Sequence, residues 1–135
     1  MKVRITKIFK ADISHQLGTH SKDAVWVENT YGKCRNLHGH SIKIELTLEG
    51  PVDVSNGMVL NFNLLKEVFQ GYYNEIDHNH LNDFLPIPTA ENLAVYLFNE
   101  LKQHLSGLYP EVMLYSVRIW ETDTAYAEVV EGGKF

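Results

Sequence analysis

One cysteine, Cys34, stands in 135 residues, so no intrachain disulfide is available, and the thiol must be a buried apolar group, a metal ligand or a reactive nucleophile. Proline is scarce at 4 residues, and no Gly/Ser, Gln/Asn or Pro-rich tract interrupts the chain, which excludes a low-complexity protein. No run of about 20 apolar residues occurs, and Lys2, Arg4, Lys7 and Lys10 break up the N-terminal segment where a secretory signal needs an apolar stretch. A membrane span is not expected, and a cytoplasmic location is. Positive charge is also short: 12 Lys and Arg against 17 Asp and Glu give a net charge of −5. No basic cluster of the kind that neutralises a phosphate backbone is present, so nucleic acid is not an expected partner.

What remains is ordinary globular composition, 44% hydrophobic and 21% charged, in a length that suits one compact domain over residues 1–135. Val3, Ile5, Phe9, Ala11, Ile13 and His15 share one parity against Lys2, Arg4, Thr6, Lys10, Asp12 and Ser14, the alternation of a half-buried strand. From His38 a second strand carries His38, His40, Ile42, Ile44, Leu46 and Leu48 on one face and ends at Gly50-Pro51. Leu64, Leu65, Val68, Phe69, Tyr72 and Ile76 follow helical spacing, with Asn61 or Asn63 as cap. Thr89 caps a second helix with a stripe at Leu93, Leu97, Leu101 and Leu105. A third strand alternates Met113, Tyr115, Val117, Ile119 and Glu121 against Leu114, Ser116, Arg118 and Trp120, and Tyr126 to Val130 makes a fourth. Residues His20 to Tyr31 show no period and read as a loop. The order β-β-α-α-β-β is an α+β pattern.

The fragment Cys34-Arg35-Asn36-Leu37-His38-Gly39-His40 carries the densest chemistry. Two apart on a strand, His38 and His40 project to the face that goes on to bury Ile42 and Ile44. His15 ends the first strand on its own apolar face, so pairing the two strands could gather three imidazoles. Three neutral nitrogens suit Zn²⁺ and leave a fourth position open, as in catalytic sites; Cys34 as a fourth ligand would close the site and make it structural. A histidine pair at this spacing is equally compatible with a surface or satisfied-core role, and local sequence does not separate these readings. Lys33 and Arg35 flank Cys34, and nearby cations lower a thiol's pKa from about 8.5, unless both point away into solvent. Asp77 precedes His78, so the carboxylate could orient the ring, although neighbouring side chains often diverge. Glu121 at the end of a strand either is solvated or receives N–H groups from a ligand. His20, His80 and His104 have no argued role, and Trp26, Tyr31 and Trp120 read as packing.

Taken in order, His15, Cys34-x3-His38-Gly39-His40, Gly57-Met58-Val59, Asp77-His78-x2-Leu81-Asn82, Pro88-Thr89-Ala90-Glu91-Asn92 and Glu121-Thr122 resemble the 6-pyruvoyl-tetrahydropterin synthase and 6-carboxy-tetrahydropterin synthase family over nearly the whole chain. The resemblance implies the tunnelling fold: a four-stranded antiparallel sheet with two helices on one face, subunits joining their sheets into a barrel as a trimer or homohexamer with active sites at subunit interfaces. It implies zinc on His15, His38 and His40, Cys34 as general base, Asp77 and His78 as a proton relay acting on a site completed by another subunit, and Glu121 as anchor of the pterin ring. Lys33 and Arg35 are assigned to the triphosphate. The three-residue gap between Cys34 and His38 resembles the carboxy branch; Asn61 and Glu121-Thr122-Asp123 resemble the pyruvoyl branch, and Ala11 and Ile13 stand where an aromatic and a small residue are commoner. The expected activity is a zinc-dependent lyase that turns 7,8-dihydroneopterin triphosphate into 6-carboxy-5,6,7,8-tetrahydropterin, acetaldehyde and triphosphate, in queuosine-type deazapurine synthesis. The alternatives are the 6-pyruvoyl product from the same substrate, and a non-enzymatic zinc protein with Cys34 as fourth ligand.

Overall fold

The computed structural model describes residues 1–133; Lys134 and Phe135, the end of the expected 1–135 domain, lie outside the described residues. Strand β1 (Lys2–His15) is followed by helix α1 (Ala24–Tyr31), strand β2 (His38–Pro51), helix α2 (Phe62–Ile76), the two-residue strand β3 (Asn79–His80), helix α3 (Ala90–Leu108), strand β4 (Met113–Thr122) and strand β5 (Ala125–Val130). The sheet runs β3-β1-β2-β4-β5. The four long strands pair antiparallel as expected. The sheet nevertheless has five strands and is mixed, because β3 adds to β1 in parallel through Ile13 and Asn79. That pairing forms where the chain leaves α2, with His78 N–H donating to Asp12 O at 2.7 Å.

Both long helices start where side-chain caps satisfy the first free N–H groups. Asn61 Oδ1 accepts from Asn63 N at 2.8 Å, and Thr89 Oγ1 from Asn92 N at 3.1 Å. Their apolar stripes bury Leu65, Phe69 and Ile76, and Leu93, Leu97, Leu101 and Leu105, in one cluster with Ile44, Leu46 and Leu48 of β2. The Phe9 and Phe69 ring centroids lie 4.6 Å apart, so α2 covers the odd-numbered face of β1.

Two expectations need correction. The His20–Tyr31 segment holds a third helix, α1, capped by Asp23 and without a single buried residue, so no core face imposed a periodic pattern on it. In β4 the pairing steps from Thr47 with Ser116 to Leu48 with Leu114, leaving Tyr115 as an extra residue. This bulge flips the parity, and Leu114 rather than Met113 or Tyr115 is buried. Among the described residues, no helix is long and apolar enough to cross a membrane.

Candidate functional site

β1 and β2 pair down to His15 opposite His38, with Ile13 opposite His40, so the three imidazoles meet where the two strands end. Their ligand nitrogens all lie within 4.8 Å of one another, a group that could hold a metal ion. Gly39 between the two histidines of β2 sits against β1, and a Cβ there would stand 3.2 Å from Ile13 O. His15 is 2% exposed, whereas His38 and His40 are half-buried, so the cluster is open on one side only.

Two of the three tautomers are set by the backbone. His15 Nδ1–H donates to Pro88 O at 2.7 Å, and His38 Nδ1–H to Asn36 O at 2.7 Å. Each Nε2 is left with its lone pair, and these two nitrogens face each other at 2.9 Å. Two acceptors at that separation repel unless a cation lies against both, which is the arrangement of imidazoles oriented by outer carbonyls toward a metal. The donor set therefore fits a zinc ion, whose tetrahedral nitrogens at about 2.0–2.1 Å from the metal stand about 3.4 Å apart. Burial first, and the neighbouring His38 and His40 as well, push the His15 pKa down against the opposing pull of the Pro88 carbonyl and Glu121, which favours the neutral, ligating form. Ile13, Ile42, Leu81, Leu93 and Ile119 form the apolar wall behind His15.

Glu121 joins this group from the core face of β4, two residues beyond buried Ile119, at a second bulge where β4 pairs Trp120 with Tyr126 and Thr122 with Ala125. Oε1 lies 3.5 Å from His40 Nε2 and 3.8 Å from His15 Nε2. It also borders a groove of about 430 Å³ shared with Ala90, Glu91, Ala94, Tyr126 and Ala127.

Cys34 is exposed in a 3₁₀ turn (Gly32–Arg35), and its carbonyl accepts from Leu17 N at 3.0 Å, which ties the turn to the chain just beyond His15. Its Sγ stands outside the group formed by the three imidazole nitrogens. Lys33 is exposed, and Arg35 Nη1 donates to Gly32 O at 2.9 Å.

Asp77 and His78 form a separate cluster with Asp12. His78 Nδ1–H donates to Asp77 Oδ2 at 2.8 Å, while Asp77 Oδ1 accepts from Asp12 N at 2.9 Å. The hydrogen bond and charge of Asp77 raise the His78 pKa. The Asp12 N–H, and secondarily the His78 contacts, lower that of Asp77. Asp12 and His15 have opposite parity on β1, so this cluster belongs to the sheet face turned away from the imidazoles. Three contributors had no local signal: the Pro88 and Asn36 carbonyls, and Asp12, which looks like one more polar residue of β1.

The profile of the 6-pyruvoyl tetrahydropterin synthase family matches residues 4–132. The chain belongs to that family. Among curated relatives, a 6-carboxy-5,6,7,8-tetrahydropterin synthase of Aquifex aeolicus is 32% identical over 97% of this chain and 99% of its own. A dihydroneopterin monophosphate aldolase of Pyrococcus furiosus is also 32% identical, over 83% of this chain and 90% of its own. The solved 6-pyruvoyl tetrahydropterin synthase of Caenorhabditis elegans superposes with a TM-score of 0.88 at 28% identity, covering 98% of this chain and 97% of that one. Relatives with different printed activities thus match this one chain, so membership of the family does not by itself select the reaction.

Proposed function

We propose that the protein is a zinc-dependent lyase acting on 7,8-dihydroneopterin triphosphate, with 6-carboxy-5,6,7,8-tetrahydropterin, acetaldehyde and triphosphate as products, in queuosine-type deazapurine synthesis. The observation that carries it is the 2.9 Å approach of two Nε2 lone pairs, His15 and His38, beside His40 and Glu121. A zinc held by His15, His38 and His40 would supply a Lewis acid for the oxygens of the substrate side chain, acidifying the adjacent C–H bonds. Cys34 and His78 move those protons. With Nδ1–H committed to Asp77, the nitrogen of His78 that exchanges protons is Nε2. Glu121 receives the amino and ring N–H groups of the pterin, which lies in the groove beside the start of α3.

Asp77 and His78 serve a site on a second copy of the chain, since their own imidazole cluster belongs to the opposite sheet face. The edge of β1 is paired by β3 only at Ile13 and Ser14, and β5 has a ladder partner on one side. Joining β1 of one copy to β5 of another would close the sheets into a barrel, as a trimer or homohexamer, and remove both edges. The Cys34-to-His38 spacing and the Aquifex aeolicus relative favour the carboxy product. Glu121-Thr122-Asp123 and the Caenorhabditis elegans structure favour the 6-pyruvoyl product as the second reading.

The test is a mass-spectrometric product assay of zinc-loaded protein with this substrate, beside Cys34→Ala. A 6-carboxy product with acetaldehyde supports the reading, and a 6-pyruvoyl product replaces it with the second. No turnover by folded, metal-loaded protein overturns both. Loss of zinc from Cys34→Ala would make the thiol a fourth ligand of a structural, non-enzymatic site.

A further inference from the structure

On the face of the β1–β2 ladder turned away from the helices, the opposed residues are Arg4/Glu49, Thr6/Thr47, Ile8/Glu45, Lys10/Lys43 and Asp12/Ser41. Lys10 O accepts from Tyr73 Oη, and Asp12 N and O bond to Asp77 and His78, so the backbone groups of these β1 residues point away from β2. The row is accordingly one of non-hydrogen-bonded pairs, the kind that brings opposed side chains closest. Three pairs use that proximity directly: Arg4 Nε meets Glu49 Oε2 at 2.8 Å, Thr6 and Thr47 share a hydrogen bond of 2.8 Å, and Ser41 Oγ donates to Asp12 Oδ1 at 2.6 Å. Lys10/Lys43 alone sets like charges opposite each other, an arrangement that costs stability unless something anionic lies between them.

Little in the protein offsets it. Lys10 has no ion-pair partner among the described residues, and Lys43 has only Asp123 at 3.9 Å, which is 94% exposed. Both lysines line a cleft of about 400 Å³ that also contains Ser41, Tyr73 and His78. Its other carboxylates are engaged: Asp12 by Ser41, and Asp77 by His78 and the Asp12 N–H. An adjoining cleft along the open edge of β1 is lined by Lys7, Lys10 and Lys66 and by no carboxylate, so the positive field continues beyond the pair.

We propose that Lys10 and Lys43 hold the phosphate chain of the substrate, in the same cleft from which His78 moves its proton. This rests on the lyase reading above. In the elimination, a base takes the proton from the side-chain carbon next to the one bearing the phosphate. The C–H electrons form the new C=C bond, and the C–O bond breaks with its electron pair leaving on the phosphate oxygen. The two carbons are neighbours, so the proton-moving group and the cations that receive the departing charge must share one cleft. His78 and the lysine pair do. Ammonium groups placed there stabilise charge that grows as the bond breaks.

Isothermal titration with inorganic triphosphate tests this on wild type, Lys10→Ala/Lys43→Ala and Lys33→Ala/Arg35→Ala, each checked for zinc content and for folding by circular dichroism. Because triphosphate also binds zinc, each titration is run before and after chelation. The expected result is a loss of at least tenfold in affinity for Lys10→Ala/Lys43→Ala alone, persisting after chelation. Unchanged affinity in that variant, loss in Lys33→Ala/Arg35→Ala instead, or disappearance of all binding on chelation overturns it. Lysine-dependent binding without turnover of the pterin would leave the anion site standing and sink the lyase reading. Turnover with lysine-independent binding would do the reverse.

Discussion

His78 donates Nδ1–H to Asp77 Oδ2 at 2.8 Å from a backbone in the left-handed region, with φ of 59°, the only non-glycine residue at positive φ among those described. It follows the C-cap of α2, a position where glycine or asparagine is usual because a Cβ costs roughly 1–2 kcal/mol. A histidine kept there at such a cost points to a functional rather than a structural use of its ring.

His78→Gly relieves the left-handed strain but loses the bond to Asp77, so it should change thermal stability by no more than about 1 kcal/mol while abolishing turnover. Calorimetric melting beside the product assay checks this; a clear loss of stability would mean that the ring supports the fold.

Asp77→Asn should bring the His78 pKa down, since Asp77 is the first cause that raises it. The sign for stability follows from both partners. The raised His78 contributes below its unfolded pKa and loses its contribution as pH rises through the folded value; the lowered Asp77 contributes above its unfolded pKa and loses it on acidification. The pair thus favours folding most between about pH 4 and 6.5. A proton NMR titration of the ring in wild type and variant reads the shift directly, and an unmoved His78 would contradict the pairing.

A zinc held by the three imidazoles would bind the folded chain only, so saturating metal at 100-fold over its dissociation constant should add about 2.7 kcal/mol and raise the melting temperature by roughly 10 °C. His15→Ala, which removes the imidazole oriented by Pro88 O, should lose that increment. Differential scanning calorimetry with and without zinc makes the comparison; an equal zinc response in His15→Ala would exclude the cluster as the metal site.

Glu121→Gln keeps the shape of the side chain and removes its charge. As an anchor for ligand N–H groups it should lose about ten- to a hundredfold in kcat/KM, the worth of one charged hydrogen bond, with zinc content unchanged. Metal analysis of the purified variant separates this from ligation, because a zinc ligand would lose metal instead.

Much of this was legible locally. Alternation in β1 and β2 places His15, His38 and His40 on buried faces, and the Asn61 and Thr89 caps announce both long helices. Such patterns depend only on which neighbours along the chain share a face. α1 escaped because a helix that buries nothing has no reason to be periodic.

The rest depended on residues distant along the chain. Pro88 orients a histidine 73 positions away, a contact that exists only once α3 is docked on the sheet. The bulge at Tyr115 moves Met113 and Leu114 across strand parity, and it arises from the register against β2 rather than from β4 itself. The sequence alone determined the four long strands, the two long helices and the residue types able to hold a metal, because those follow from local periodicity and side-chain chemistry. Only the tertiary structure decided which lone pairs face each other, which carboxylate joins them, and that two lysines lie opposite, because strand register is a property of the assembled sheet.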